Sequence, residues 1–189
     1  GDYYHSHTVG AIEEARVKYV EPCNIKDGMR ILDVCFGLGY NTLAALKLSK
    51  KLDIVCLEKE TNIISRIQDI EVPDGYKQDY EMIRKLAKDR EYSEGDLKIK
   101  LVVGDAKDTI KQFEGFDAVF FDPFAPQKVP EMWSSEFFRS IFDRMNKGAR
   151  LTTYSCATFV RKNLTEAGFK VIDGPVFGRK SPSTVGIRE

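Results

Sequence analysis

An acid that closes an apolar run and opens a stiff aromatic loop is the most chemically telling feature of the chain. Asp117-Ala118-Val119-Phe120-Phe121 reads as a buried strand and leads straight into Asp122. Pro123, Pro126 and Pro130, together with Phe124 and Trp133, follow within the next eleven residues. Open α/β sheets bind ligands beyond the carboxyl ends of their strands, so Asp122 stands where a ligand would sit. Each proline fixes φ and removes an N–H, which holds the loop in a defined, non-helical course. One carboxylate beside apolar rings suits a flat substrate that carries an amine. Taken alone, the same residues also fit a strand end capped by Asp over a packed loop.

A second constellation favours the ligand reading. Ile31-Leu32-Asp33-Val34-Cys35-Phe36 is strand-like, ends in Gly37-Leu38-Gly39-Tyr40-Asn41-Thr42, and is followed by a helical pattern from Leu43 to Lys51. Strand, glycine turn and helix open a nucleotide-binding βα unit. Gly37 and Gly39 permit a tight turn, and the N–H groups that begin the helix can receive a polar group. Glu58 ends a second strand, Asp53 to Leu57, and lies 19 residues after Gly39, where a carboxylate can accept both hydroxyls of a ribose. Asp105 follows a third strand, Ile99 to Val103, and can take an adenine amino group. Gly-x-Gly alone fits a plain turn equally well, whereas three strand ends carrying Gly-x-Gly, Glu and Asp in order specify an adenosine site. Dinucleotide sites place Gly or Ala where this chain has the bulkier Thr42. S-adenosylmethionine has no pyrophosphate to cradle, so Gly-x-Gly with polar Asn41 makes it the expected cofactor, and no P-loop is present.

The remaining pattern supplies the elements that must hold these residues. Helices are expected over Thr61 to Ile70, Ala106 to Phe113, Ser134 to Met145 and Phe159 to Ala167, the third with a Ser cap and a glycine stop at Asn146-Lys147-Gly148. Strands are expected over Ala149 to Tyr154, Phe169 to Ile172 and Thr184 to Ile187. Repeated βα alternation predicts an α/β, Rossmann-like fold: a mostly parallel twisted sheet with helices on both faces. Residues 71–98 read as a partly helical insertion, with Tyr80 to Lys88 its helix, inside one domain over 1–189.

Composition narrows the classes further. With 42% hydrophobic residues, 189 positions suffice for one buried core. No apolar run approaches the ~20 residues of a membrane span, and the first residues do not read as a signal peptide, so a soluble, cytoplasmic chain is expected. A chain that begins without Met can be a trimmed fragment. Cys23, Cys35, Cys56 and Cys156 form no Cys-x-x-Cys pair, and His5 and His7 are the only histidines, so no metal site is expected. Net charge is zero, yet residues 127–189 hold eleven Lys/Arg against six Asp/Glu. Such a local basic face fits an ordinary solvated surface or a nucleic-acid substrate.

Several stretches together resemble one family. They are Gly10-Ala11-Ile12-Glu13-Glu14-Ala15, Phe36-Gly37-Leu38-Gly39-Tyr40-Asn41, Asp122 with Phe124-Ala125-Pro126 and Pro130-x-Met132-Trp133, Val160-Arg161-Lys162-x-Leu164-x-x-Ala167-Gly168-Phe169, and Phe177-Gly178-Arg179-Lys180. They span nearly the whole chain and resemble the methyltransferase domain of the MnmC family, a branch of the class I S-adenosylmethionine-dependent methyltransferases. The resemblance implies N-methylation of 5-aminomethyl-(2-thio)uridine at the tRNA wobble position, with the anticodon stem-loop as partner. It implies cofactor contacts at Phe36, Gly37, Gly39, Asn41, Glu58 and Asp105, with Glu13 helping to cover the cofactor. Asp122 would bind the substrate ammonium and accept its proton. Phe124 and Trp133 would stack a flipped-out base, although Trp133 equally fits a core ring below the loop, and Lys128, Arg161, Lys162, Arg179 and Lys180 would reach phosphates. Pro123 and Val129 depart from the family's usual Gly and Asn. The flavin-dependent oxidase domain of the bifunctional members has no counterpart in this sequence, and a chain complete as it stands would need a pre-formed aminomethyl group. A methyltransferase for a small amine or a protein side chain is the alternative, and a non-catalytic nucleotide-sensing domain a third reading.

Overall fold

The apolar runs that precede the chemical residues become the centre of an eight-stranded sheet. The computed structural model describes residues 2–178 and 180–189, with the backbone alone over 2–7. The chain begins with α1 (Asp2–Ala15), a π-helical turn (Arg16–Val20) and α2 (Glu21–Cys23), then β1 (Arg30–Val34), α3 (Tyr40–Leu48) and β2 (Asp53–Glu58). It continues through α4 (Thr61–Arg66), α5 (Lys77–Asp89), β3 (Glu91–Glu94), β4 (Leu97–Val103), α6 (Ala106–Thr109) and β5 (Phe116–Phe121). It closes with α7 (Ser135–Phe142), β6 (Met145–Thr153), α8 (Thr158–Glu166), β7 (Lys170–Val176) and β8 (Pro182–Ile187).

The strand order is β3-β4-β2-β1-β5-β6-β8-β7. β1 pairs in parallel with β2 and β5, β2 with β4, and β5 with β6, whereas β3, β7 and β8 join antiparallel. This is a Rossmann-like α/β fold. The chain steps outward from β1 through β2 to β4, then crosses back to β5 and β6 on the other side. At that switch point the connections leaving β1 and β5 diverge, and a crevice opens beyond their carboxyl ends.

Both sheet faces are covered, which is why the central strands read as continuous apolar runs. Side chains alternate across the sheet, so Ile31, Ala118 and Phe120 meet Ile12, Leu43, Leu46, Tyr80 and Ile83 from α1, α3 and α5. Leu32, Val34, Val119 and Phe121 face the other way, onto Trp133, Phe137, Phe138, Ile141, Val160 and Leu164. Asp33 is the exception on the first face, a carboxylate at 0% exposure among apolar neighbours.

The structure corrects several expected boundaries. Ser134 does cap α7, its Oγ accepting from the Phe137 N–H at 3.2 Å, but the helix stops at Phe142 and Met145 already belongs to β6. Gly148, at φ +84°, serves a bulge rather than a helix end: between the pairs Phe116↔Met145 and Ala118↔Arg150, β6 carries extra residues. The expected helices after β2 and β4 tighten early into 3-10 turns at Ile67–Asp69 and Ile110–Gln112. Within 71–98, α5 begins at Lys77, and the polar edge strand β3 escapes the pattern because a solvent-facing edge shows no apolar alternation. Among the described residues, no helix is long and apolar enough to cross a membrane.

Candidate active site

The turn after β1 depends on backbone that few side chains tolerate. Cys35, Gly37 and Gly39 adopt φ of 65°, 57° and 80°. The Gly39 N–H donates to Phe36 O at 2.9 Å and the Leu43 N–H to Gly39 O at 2.8 Å, so the turn feeds directly into α3. A Cβ on Gly39 would sit 2.8 Å from Ile83 Cγ2 and from Phe36 Cζ, so both φ and space demand glycine. The buried Phe36 ring packs over this turn.

Glu58 ties that turn to the end of β2. Its Oε2 accepts from the Gly37 N–H at 2.9 Å, and its Oε1 accepts from Lys59 and Glu60 N–H groups at 2.8 and 2.9 Å. A carboxylate offers about four acceptor positions, so one remains where two ribose hydroxyls were expected to bind. Asp105 caps α6, its Oδ1 accepting from the Lys107 N–H at 2.9 Å, and its Oδ2 lies 3.9 Å from Lys107 Nζ.

A cavity of about 920 Å³ lies over these strand ends. Phe36, Gly37, Leu38, Glu58, Gly104, Asp105 and Ala106 line one half; Glu14, Tyr19, Asn41, Asp122, Phe124, Met132 and Tyr154 line the other. The acceptors at β2 and β4, the glycine turn at β1 and a volume within the usual range for ligand sites fit S-adenosylmethionine.

Asp122 lines the cavity just beyond the end of β5. Tyr19 Oη donates to its Oδ1 at 2.5 Å, Asn41 Nδ2 donates to its Oδ2 at 3.4 Å, and its own N–H donates to Val34 O at 3.2 Å. The residue keeps some exposure to the cavity while its carboxyl is enclosed by protein. Burial pushes that carboxyl up to about 6, against the pull of the Tyr19 and Asn41 hydrogen bonds. Beneath it, burial raises Asp33 to about 7, opposed by the Thr42 Oγ1 bond at 2.7 Å and reinforced by the charge of Asp122. Burial and Asp122 also hold the Tyr19 phenol protonated.

Two expected site residues are corrected. Glu13 turns away from the cavity, where Arg16 Nε donates to it at 2.9 Å and holds its carboxyl below the usual range; Glu14 faces the cavity instead and pairs with the buried Lys18. One residue along a helix rotates a side chain by about 100°, which separates the two. Trp133 has no exposed surface: its ring meets Phe121 and Tyr154 edge-on at 5.2 and 5.7 Å, and its Nε1 donates to Phe124 O at 3.0 Å. It supports the loop from below and has no face left for a base.

Of the other expected residues, Phe124 lines the cavity. Phe124 is 59% exposed, with Lys128 Nζ 5.9 Å from its ring centre. Lys180 is exposed on the connection between β7 and β8, and Arg179 lies outside the described residues. Arg161 pairs with Asp173 at 2.6 Å and Lys162 with Glu166 at 3.5 Å. Sequence reasoning passed over Tyr19, Glu14, Tyr154 and Asp33; Asp33, an acid inside an apolar strand, carried a visible signal, and Glu14 stands beside Glu13 in one motif.

A glycine turn, two acidic strand ends and a third acid beside the same cavity define a Rossmann-like transferase built for an adenosine cofactor. Comparisons agree. A family model described as S-adenosyl-L-methionine-dependent methyltransferase matches residues 71–189. A protein of Methanocaldococcus jannaschii is 32% identical over 95% of this chain and 52% of its own. The tRNA 5-methylaminomethyl-2-thiouridine biosynthesis bifunctional protein MnmC of Leptospira interrogans is 29% identical over 86% of this chain and 28% of its own. The crystal structure of MnmC2 from Aquifex aeolicus superposes with a TM-score of 0.83 at 35% identity, covering 98% of this chain and 64% of that one. The chain thus spans about half of the archaeal relative and little more than a quarter of the bifunctional one. It belongs to the S-adenosyl-L-methionine-dependent methyltransferase family, in the branch of the MnmC methyltransferase domains, and its cofactor is S-adenosylmethionine.

Proposed function

We propose that the chain methylates the primary amine of 5-aminomethyl-(2-thio)uridine at the tRNA wobble position, giving 5-methylaminomethyl-(2-thio)uridine. The observation that carries this reading is Asp122, a carboxylate at the β5 end whose proton affinity is raised and whose two oxygens are held differently. When bound, S-adenosylmethionine supplies a methyl group on a sulfonium. What the protein must add is alignment of the amine and removal of its proton. Asp122 with a pKa of about 6 is still mostly ionised at neutral pH, so it can pair with an ammonium. It is also a stronger base than an ordinary carboxylate, which narrows the gap to the amine.

Surface features on the same edge support a nucleic-acid acceptor. β8 runs antiparallel to β6 and β7 antiparallel to β8, so the 177–181 connection lies at the sheet edge that bears Asp122. Exposed Phe124 offers a ring for a base, with Lys128 beside it for a phosphate, and Lys180 stands farther along that edge. Roles for Phe124, Lys128, Arg179 and Lys180 in tRNA binding belong to this proposal, as do adenosine contacts by Glu58, Asp105 and Asn41. The relatives named for thiouridine biosynthesis support the acceptor. The test is incubation of the protein with labelled S-adenosylmethionine and stem-loop RNAs carrying uridine or 5-aminomethyluridine, followed by mass spectrometry of the wobble nucleoside. Methylation of the aminomethyl RNA alone is expected; transfer only to free small amines or to protein rejects the tRNA reading.

A further inference from the structure

Tyr19 reaches the site from outside the sequence motifs, by way of a local departure from α-helical geometry. α1 passes into α2 through five π-helical residues, Arg16–Val20. The extra residue of a π turn advances the following side chains by about 100° relative to an unbroken α-helix. Thr152 Oγ1 donates to Tyr19 O at 3.1 Å, and Arg150 Nη1 donates to Pro22 O at 2.7 Å, so β6 fastens the segment at and just beyond the tyrosine. The Tyr19 side chain is buried, and its hydroxyl ends on Asp122 Oδ1.

We infer that Tyr19 is a positioning residue for Asp122: by occupying Oδ1 it fixes the rotation of the carboxylate and reserves Oδ2 for the incoming ammonium. This rests on the amine-methylation reading above. Oδ2 is the freer oxygen, because Asn41 Nδ2 approaches it only to 3.4 Å, at the long limit of a hydrogen bond. Charged and titratable groups face Asp122 from several elements. They are Glu14 and Lys18 on the N-terminal helix, Asp33 on β1, Cys35 just beyond β1, and Tyr154 just beyond β6, whose hydroxyl donates to Pro123 O at 3.1 Å. Glu14 and Lys18 pair with each other, so their opposite effects on Asp122 largely offset. Tyr19 remains the short donor. A neutral donor bonded to a carboxylate favours its ionised form, so removing that donor makes Asp122 harder to ionise.

Tyr19→Phe keeps the ring and the backbone acceptor for Thr152. Isotope-edited NMR of labelled aspartate, assigned through Asp122→Asn, reads the titration midpoint of Asp122 in wild type and variant. Initial rates on stem-loop RNA carrying 5-aminomethyluridine give kcat and KM across the same pH range. The midpoint is expected to rise by about one pH unit, carrying the acid limb of kcat/KM with it; the lost ionisation alone lowers kcat at neutral pH about twofold, and the lost orientation of the carboxylate lowers it further. The KM for S-adenosylmethionine should stay unchanged. An unmoved midpoint with an inactive Asp122→Asn overturns the inference alone, whereas an active Asp122→Asn overturns the amine-methylation reading and this inference with it. Fluorotyrosine at position 19, a stronger donor of nearly the same shape, covers the case in which Tyr19→Phe does not fold. It should move the midpoint downward, and no movement overturns the inference.

Discussion

Replacing Asp122 by Asn removes one negative charge and one proton acceptor while leaving almost the same shape. The amide oxygen can still accept from Tyr19 Oη, so the 2.5 Å contact and the loop around it should survive. What is lost is the pairing with an ammonium and a place for its proton. General-base contributions run at ~10²–10⁴-fold, so turnover at saturating RNA should fall at least about a hundredfold. The pH profile provides an independent check. With a midpoint of about 6, wild-type Asp122 is roughly nine-tenths ionised one unit above that value and roughly one-tenth ionised one unit below it. Wild-type kcat/KM should therefore climb about tenfold as pH rises through the midpoint, and the residual activity of the variant should show no such step. Cofactor affinity should change little, because the Gly37 turn and the Glu58 and Asp105 carboxylates stand at the ends of β1, β2 and β4 rather than β5. Single-turnover transfer of labelled methyl measures the chemistry, and calorimetric titration measures the binding. A variant within a few fold of wild type at neutral pH would falsify the base role and reduce Asp122 to a strand-end cap.

Glu58→Ala strips three backbone N–H groups of their acceptor and should weaken S-adenosylmethionine binding about a hundredfold, with NAD still unbound; calorimetry showing unchanged affinity rejects this reading of the β2 end. Asp33 binds its proton more tightly folded than unfolded, at about 7 against the ordinary 3.8, so it stabilises the fold below that window and loses that contribution as pH rises through it. The loss is on the order of 4 kcal/mol, and Asp33→Asn should flatten the decline in urea-unfolding stability between the ordinary value of 3.8 and the folded value of about 7; equal slopes in both proteins refute it. Lys128→Glu with Lys180→Glu should raise the KM for tRNA and make it less salt-sensitive while sparing cofactor affinity. Salt-independent binding by the wild type would remove the electrostatic basis of that prediction.

How much of this was legible in the sequence follows from which signals are local. The central strands could be read because their apolar runs are short, continuous and bounded by the residues that matter: Gly37, Glu58, Asp105 and Asp122 all stand at strand ends. Strand β3 was not readable, since Glu91-Tyr92-Ser93-Glu94 is polar and pairs only on one side. Gly148 was misread because a left-handed glycine serves a bulge as readily as a helix stop. Within the site, the failures share a cause. Glu13 and Glu14 are adjacent acids in one motif, and only the helix rotation shows which one reaches the cavity. Tyr19 is 103 positions from Asp122, and a π turn, which no residue type announces, brings them together. Trp133 fits a base-stacking ring and a core ring equally well in the sequence, and only the packing beneath the loop, against Phe121 and Phe138, decides for the core.

The two raised acids also explain each other. Asp33 is fully buried, and its Oδ1 has no hydrogen-bond partner among the described residues, an arrangement that costs stability whenever the group is charged. Asp122, only one strand away, keeps some exposure to the cavity and accepts from Tyr19 and Asn41, so it ionises more readily than the fully buried Asp33. As pH rises, the acid facing the cavity therefore ionises first, and its charge then opposes ionisation of the one beneath. Near neutrality the site holds a mostly charged carboxylate at the surface of the cavity and a less charged one below it. That order suits proton transfer from an amine: one negative charge is enough to pair with an ammonium, whereas a second close behind it would bind the cation more tightly and make the free amine harder to release. An apolar residue at position 33 would pack better but would leave Thr42 Oγ1 without its 2.7 Å acceptor at the start of α3, so the buried acid also anchors the helix that carries Asn41 to Asp122.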